Sequence, residues 1–125
     1  MTKEKEKTQQ DIEAHNIQEE IEEILEDCTK CGMCKQNCPI FKTKLQEEFG
    51  PRGQVLLMQE KVEDKILFYC NLCKACEKSC PLGIKICDAV KKGREILTIK
   101  GKNLESNEEM IKNIITKFYS NHNLI

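Results

Sequence analysis

The sequence predicts an all-α fold. Apolar residues recur at helical spacing in several separate stretches, strand-like alternation is scarce, and the three prolines each stand at the edge of a periodic stretch. The chain's 125 residues suit one small domain and leave little room for a second core. Charged residues make up 33% of it, aromatics only 5%, and Trp is absent, so the apolar interior must be thin.

Residues 1–10 are polar and charged and are expected to be disordered. A first helix is expected over 11–26, where Ile17, Ile21, Ile24 and Leu25 share one face and glutamates take the other. A cysteine run spans 28–38. Pro39 lacks an N–H and disfavours helix at Cys38, so any helix is expected to stop there. Gly50-Pro51-Arg52-Gly53 reads as a turn leading into a helix over 53–67, with Val55, Met58, Val62 and Ile66 on one side. A second cysteine run spans 70–80 and is closed by Pro81 and Gly83. Ile86, Ala89, Val90, Gly93 and Leu97 predict a helix over 84–97. Gly93 within it permits a close backbone approach, at a cost of about 1 kcal/mol relative to Ala. A polar loop over 98–105 follows. Ser106 and Glu109 then form a capping box for a last helix over 106–120, whose Ile111, Ile114, Ile115, Phe118 and Tyr119 make the cleanest amphipathic pattern in the chain. The expected organisation is a disordered 1–10, a helical domain over 11–100 and a helical extension over 101–125.

Eight of the nine cysteines fall into two runs of one spacing, C-x2-C-x2-C-x3-C-P. The first is Cys28, Cys31, Cys34 and Cys38; the second is Cys70, Cys73, Cys76 and Cys80. This internal repeat is the bacterial ferredoxin signature for a [4Fe–4S] cubane, and its double occurrence implies two clusters. Three thiolates at this spacing let a short loop wrap one corner of a cube, each reaching a different iron. Backbone N–H groups meanwhile point at the sulfurs and offset cluster charge. The fourth cysteine projects away from the loop, and in two-cluster proteins of this signature it ligates the other cluster. That rule assigns Cys28, Cys31, Cys34 and Cys80 to cluster 1, and Cys70, Cys73, Cys76 and Cys38 to cluster 2. Crossed ligation ties the halves together and keeps the clusters near enough for electron tunnelling. An inorganic core also supplies the cross-links that a thin apolar core lacks.

Competing readings of the cysteines are weaker. Structural zinc uses CxxC pairs but rarely an overlapping triplet closed by Cys-Pro. Disulfides suit an exported chain, and a [3Fe–4S] site would leave one of the eight ligands idle. Cys87 lies outside the repeat and reads as a small buried apolar residue, not a ligand. His15 and His122 stand in polar surroundings without partner motifs and read as solvated surface. No nucleophile–base pair, phosphate-cradling loop or paired-carboxylate site is visible, so no catalytic residue is expected and the chemistry belongs to the cofactor.

The formal net charge of −1 gives no global basic field for nucleic acid. Two clusters with their thiolates would take it to about −5. Lys30, Lys35, Lys74, Lys78 and Lys85 lie among or beside the ligands. Two readings stay open for them: local cations that raise a cluster's potential, or ordinary solvated side chains. The N-terminus lacks the apolar stretch of a signal peptide, and no run approaches the roughly 20 apolar residues of a transmembrane segment. A soluble, cytoplasmic protein is expected.

The stretches CTKCGMCKQNCPIF, GPRGQVLLMQ and CNLCKACEKSCPLGIKI together resemble the dicluster domain of the glycolate oxidase iron–sulfur subunit. CPLGIKICDAVKKGREI is similar to the C subunit of heterodisulfide reductase. The likeness covers roughly residues 25–97. It implies an α-helical ferredoxin-like domain with two [4Fe–4S] clusters, like the C-terminal half of the succinate dehydrogenase iron–sulfur subunit. The long helical segment between the runs agrees, since compact βαβ-type ferredoxins join theirs by a shorter link. Unlike the glycolate oxidase subunit, this sequence does not continue into cysteine-rich CCG modules. The resemblance therefore implies a catalytic oxidoreductase partner, either a CCG-domain protein or an FAD-linked dehydrogenase for a 2-hydroxy acid such as lactate or glycolate. An electron-transfer subunit is the first functional reading; a free soluble ferredoxin-like carrier and a purely structural use of the metal are the alternatives.

Overall fold

Lys, Glu and Gln fill the first turns of the chain, and straight-chain residues lose little rotamer freedom in a helix. The computed structural model, which describes residues 2–121, accordingly starts helix α1 at Thr2 and carries it to Leu25. Where composition alone suggests disorder before Asp11, the structure has exposed helix, with Thr8 Oγ1 donating to Glu4 O at 2.8 Å. His15 is exposed, 3.4 Å from Glu19, while His122 lies outside the described residues.

The first cysteine run ends in a 3₁₀ turn, Met33–Asn37. Pro39 then opens a helix instead of closing one, because Pro at the first helical position has its φ preset and needs no N–H partner. Cys38 caps this α2 (Pro39–Lys44) through its sulfur, which accepts from Phe41 N–H at 3.4 Å. A short 3₁₀ turn, Glu47–Phe49, leads to α3 (Pro51–Gln59). α3 is shorter than the apolar register of Val62 and Ile66 predicts. Lys61 turns left-handed at φ 59°, and Val62 N–H reaches back to Leu57 O at 2.8 Å, closing the helix end. Asp64 then takes the Ile66 N–H at 3.0 Å and starts the 3₁₀ turn Lys65–Tyr69.

The second run holds α4 (Ala75–Ser79) and passes into α5 (Ile86–Ile99), which Gly101 at φ 72° terminates with the same closing geometry. The last helix, α6, runs Glu105–Asn121. Its first backbone bonds go to Leu104 O, so Ser106 sits inside the opening turn and is not the cap. No strand occurs among the described residues, and the architecture is all-α.

The core lies where α1 runs along α5, with α3 and the Lys65–Tyr69 turn closing one side. Ile21 and Leu25 meet Val55, Met58, Leu67, Val90 and Leu97 there, all nearly inaccessible. Gly93 lets α5 approach: a methyl group on it would lie 2.7 Å from Leu67 Cδ1. The two cysteine runs pack against each other, and Asn37 Nδ2 donates to Ser79 Oγ at 2.8 Å, a bond between equivalent positions of the repeat. The repeat also extends to the backbone. Lys30 and Leu72 are left-handed at φ 61° and 57°, and Gly32 and Lys74 at 82° and 64°. α6 buries none of its residues.

α3 is seated on the Glu47–Phe49 turn so closely that a methyl group at Gly53 would lie 2.0 Å from the backbone oxygen of Glu47. Backbone cannot yield as a side-chain tip does. Gly53→Ala should therefore destabilise the protein by about 2–3 kcal/mol despite the better helix propensity of Ala. Gly83→Ala meets open space and only the left-handed penalty at φ 66°, about 1–2 kcal/mol. Chemical denaturation of the anaerobically purified protein should rank the two in that order.

Candidate metal centre

Each cysteine run folds as a loop around a concavity, and each concavity takes its fourth thiol from the other run. The first cavity is lined by Cys28, Cys31, Cys34 and Cys80. The second is lined by Cys70, Cys73, Cys76 and Cys38. The reason is mechanical. Cys38 and Cys80 each precede a proline and have extended backbone, at ψ 114° and 121°, which turns them out of their own loops. The packing of Met33–Asn37 against α4 then delivers each to the opposite cavity. Ile86 lines both cavities and forms an apolar partition between them.

Burial chiefly, then the neighbouring thiols Cys28, Cys31 and Cys80, pushes the Cys34 thiol up to about 11. Cys70 and Cys76 are likewise raised, again chiefly by burial, with Cys87 contributing to both. Without a counter-cation these groups stay protonated at neutral pH. Metal binding must therefore release protons as it creates thiolates.

The donor set discriminates between metals. No three His, Cys, Asp or Glu side chains among the described residues are grouped as a single ion requires. Zinc holds each thiolate at about 2.3 Å, which draws the sulfurs to within about 4 Å of one another. Four thiols that line one cavity without grouping as a single ion requires instead suit a body in which each thiolate takes its own iron. Gln54, only 2% exposed, lines the second cavity and brings a neutral amide side chain to it. The residues therefore fit two cubanes. All nine cysteines are free, so disulfides are not the cross-links of this fold.

Cys87 is buried, as expected of an apolar-like cysteine, but it also reaches the rim of the second cavity beside Cys76. Of the lysines among the runs, Lys30 and Lys74 line the first and second cavities respectively. Lys35 instead pairs with Glu47 at 3.0 Å and stands over the Phe41 ring at 5.2 Å. Glu47 holds Arg52 as well, at 2.6 Å. Its hydrogen bond from Arg52, with that of Lys35, keeps its carboxyl below the usual carboxylate range. The pairing is thus fully present above the ordinary carboxylate pKa and fades as the pH falls through the depressed value. Arg94, from α5, donates to Leu67 O at 2.9 Å and to Cys70 O, fixing the entry to the second run. Arg52, Gln54 and Arg94 were not identifiable as site residues from spacing. Only the Gly-Pro-Arg-Gly stretch flagged the neighbourhood of the first two.

Residues 23–84 match the family described as a 4Fe–4S dicluster domain. The chain is 32% identical to the glycolate oxidase iron-sulfur subunit of Escherichia coli, over 66% of this chain and 22% of that protein. It is 35% identical to an iron-sulfur subunit of the CoB–CoM heterodisulfide reductase of Methanopyrus kandleri, over 66% of this chain and 45% of that protein. It is also 30% identical to a probable glycolate oxidase iron-sulfur subunit of Bacillus subtilis, over 89% of this chain and 28% of that protein. The alignments thus span less than half the length of these relatives. No solved structure matches it.

Cys87 faces a cavity already supplied with four thiols, so it should add no ligand. Cys87→Ser is expected to retain about eight iron atoms and eight acid-labile sulfides per chain. Loss of roughly half of each in a colorimetric assay would make Cys87 a ligand.

Proposed function

We propose that this chain, which belongs to the 4Fe–4S dicluster family through residues 23–84, works as an electron-transfer subunit of an oxidoreductase complex. When bound, each [4Fe–4S] cluster supplies reversible one-electron chemistry at nearly fixed geometry. The chain's own residues do the rest. Cys28, Cys31, Cys34 and Cys80 would hold cluster 1; Cys70, Cys73, Cys76 and Cys38 would hold cluster 2. The partition of eight thiols into two adjoining cavities carries this reading. Cys31 and Cys73 are the exposed member of each set, so each cluster would approach the surface at one edge. Ile86 lines both cavities and would place an apolar side chain between the clusters.

The named relatives are iron-sulfur subunits, which favours a separate catalytic partner over a freely diffusing carrier. We assign that partner to the heterodisulfide-reductase kind or to an FAD-linked 2-hydroxy acid dehydrogenase. α6 offers a surface for it: Ile111, Ile114 and Ile115 are about half exposed on a helix that buries none of its residues. No helix among the described residues is long and apolar enough to cross a membrane. The nine free thiols favour a reducing compartment, and the cytoplasm is our assignment.

Anaerobically purified protein should be brown and should bleach reversibly with dithionite. A colourless protein with zinc in place of iron would overturn the reading. In Cys80→Ala the cluster held by Cys28, Cys31 and Cys34 should be the one degraded. EPR loss of the cluster at Cys70, Cys73 and Cys76 instead would refute the crossed ligation.

A further inference from the structure

The cysteine repeat is nearly symmetric in backbone, yet α3 enters between its halves from one side and treats them differently. Its first turn presents Arg52 and Val55 to the first cavity and Pro51 and Gln54 to the second. One cavity thus receives a guanidinium and the other a neutral amide. The ligand loops carry the same bias. Gly32 and Lys74 are equivalent and both left-handed, so that backbone conformation tolerates a side chain. At Gly32 a methyl group would crowd the tip of Arg52, 2.9 Å from its Nη1, and lie 3.3 Å from Lys35 Cε, so a side chain there would displace the guanidinium. Glycine in the first loop therefore lets Arg52 sit against the backbone between Cys31 and Cys34.

The next equivalent pair is Lys35 and Glu77. Lys35 joins Arg52 on Glu47, placing two cations against one carboxylate beside the first loop. Glu77 puts a carboxylate in the second loop, where it accepts from Cys87 N–H at 3.2 Å. Lys30 and Lys74 line one cavity each and offset one another in the comparison, while Arg94 lies behind Cys70 on backbone carbonyls and does not line the second cavity.

Resting on the two-cluster reading above, we propose that Arg52 is a positioning and charge-compensating residue that makes cluster 1 the higher-potential centre, so that the first electron accepted settles there. A reduced cubane with its thiolates carries one more negative charge than the oxidised one. A fixed cation in a partly desolvated cavity favours that state. The neutral amide of Gln54 compensates cluster 2 less.

The test is an anaerobic redox titration followed by EPR on the whole protein, with Arg52→Gln, Arg52→Lys and Glu47→Gln compared to the parent. Arg52→Gln should lower the higher potential and leave the lower one in place. Arg52→Lys should restore most of the shift. Glu47→Gln, which removes the shared anion, should raise the higher potential. Opposite signs for the Gln variants at positions 52 and 47 separate a charge effect from mere support of the loop, which would move both variants the same way. If Arg52→Gln assembles no cluster 1, the Arg52→Lys and Glu47→Gln proteins still carry the comparison. Two waves indifferent to these changes, or a shift confined to the lower wave, would overturn the role of Arg52 alone. Absence of both waves and of acid-labile sulfide from the parent would instead overturn the two-cluster reading.

Discussion

Eight thiols brought around two cavities, with burial holding several of them protonated, is the constraint on which the rest of the structure depends. Thiolates packed this closely repel one another, and burial alone already disfavours their ionised form. Iron would remove both penalties at once, because each thiolate would acquire a positive partner and the cavity would acquire contents. The same exchange explains how a chain with a thin apolar core holds a defined shape. The core proper lies mainly on α1, α3 and α5, with Leu67, Cys76 and Ile84 beside them. The remaining part of the domain is organised by two loops whose fourth thiols cross to the opposite cavity.

Crossing makes a demand on the backbone that the local sequence meets. Cys38 and Cys80 must leave their loops extended, and the proline after each secures this by disfavouring helix at the cysteine. In the first run that proline then opens α2, using its missing N–H where no partner is needed. One residue thus ends a ligand loop and begins a helix. The Asn37–Ser79 bond joins equivalent points of the repeat across the junction, where the loops' mutual packing is set.

Much of this was legible in the sequence, and the exceptions have separate causes. The spacing rule and the two cavities divide the eight cysteines in the same way, because ligand geometry is encoded in short stretches of chain. Helices α1 and α5 follow their apolar periodicity for the same local reason. The end of α3 did not, since Val62 and Ile66 continue the register while Lys61 closes the helix in a left-handed conformation that sequence reading reserves for Gly or Asn. The early start of α1 was hidden because it rests on propensity without an apolar face. Arg52 and Gln54 were unreadable for a deeper reason: their meaning lies in which cavity each enters, and that is fixed by the seating of α3 on Glu47.

That seating also shows how a duplicated motif escapes symmetry. Two identical ligand sets would make two similar centres, between which an electron has no preferred place. A single asymmetric element between them is enough to break the equality, because α3 has one first turn and two cavities to face. Successive residues of a helix point in different directions, so Arg52 and Gln54 cannot both enter the same cavity. Gly53 between them permits the approach, with no space for even a methyl group against the Glu47 backbone. The Gly-Pro-Arg-Gly stretch is then best understood as one device: Gly50 and Pro51 set the entry, Arg52 carries charge to one side, and Gly53 lets the helix sit deep enough for that charge to matter.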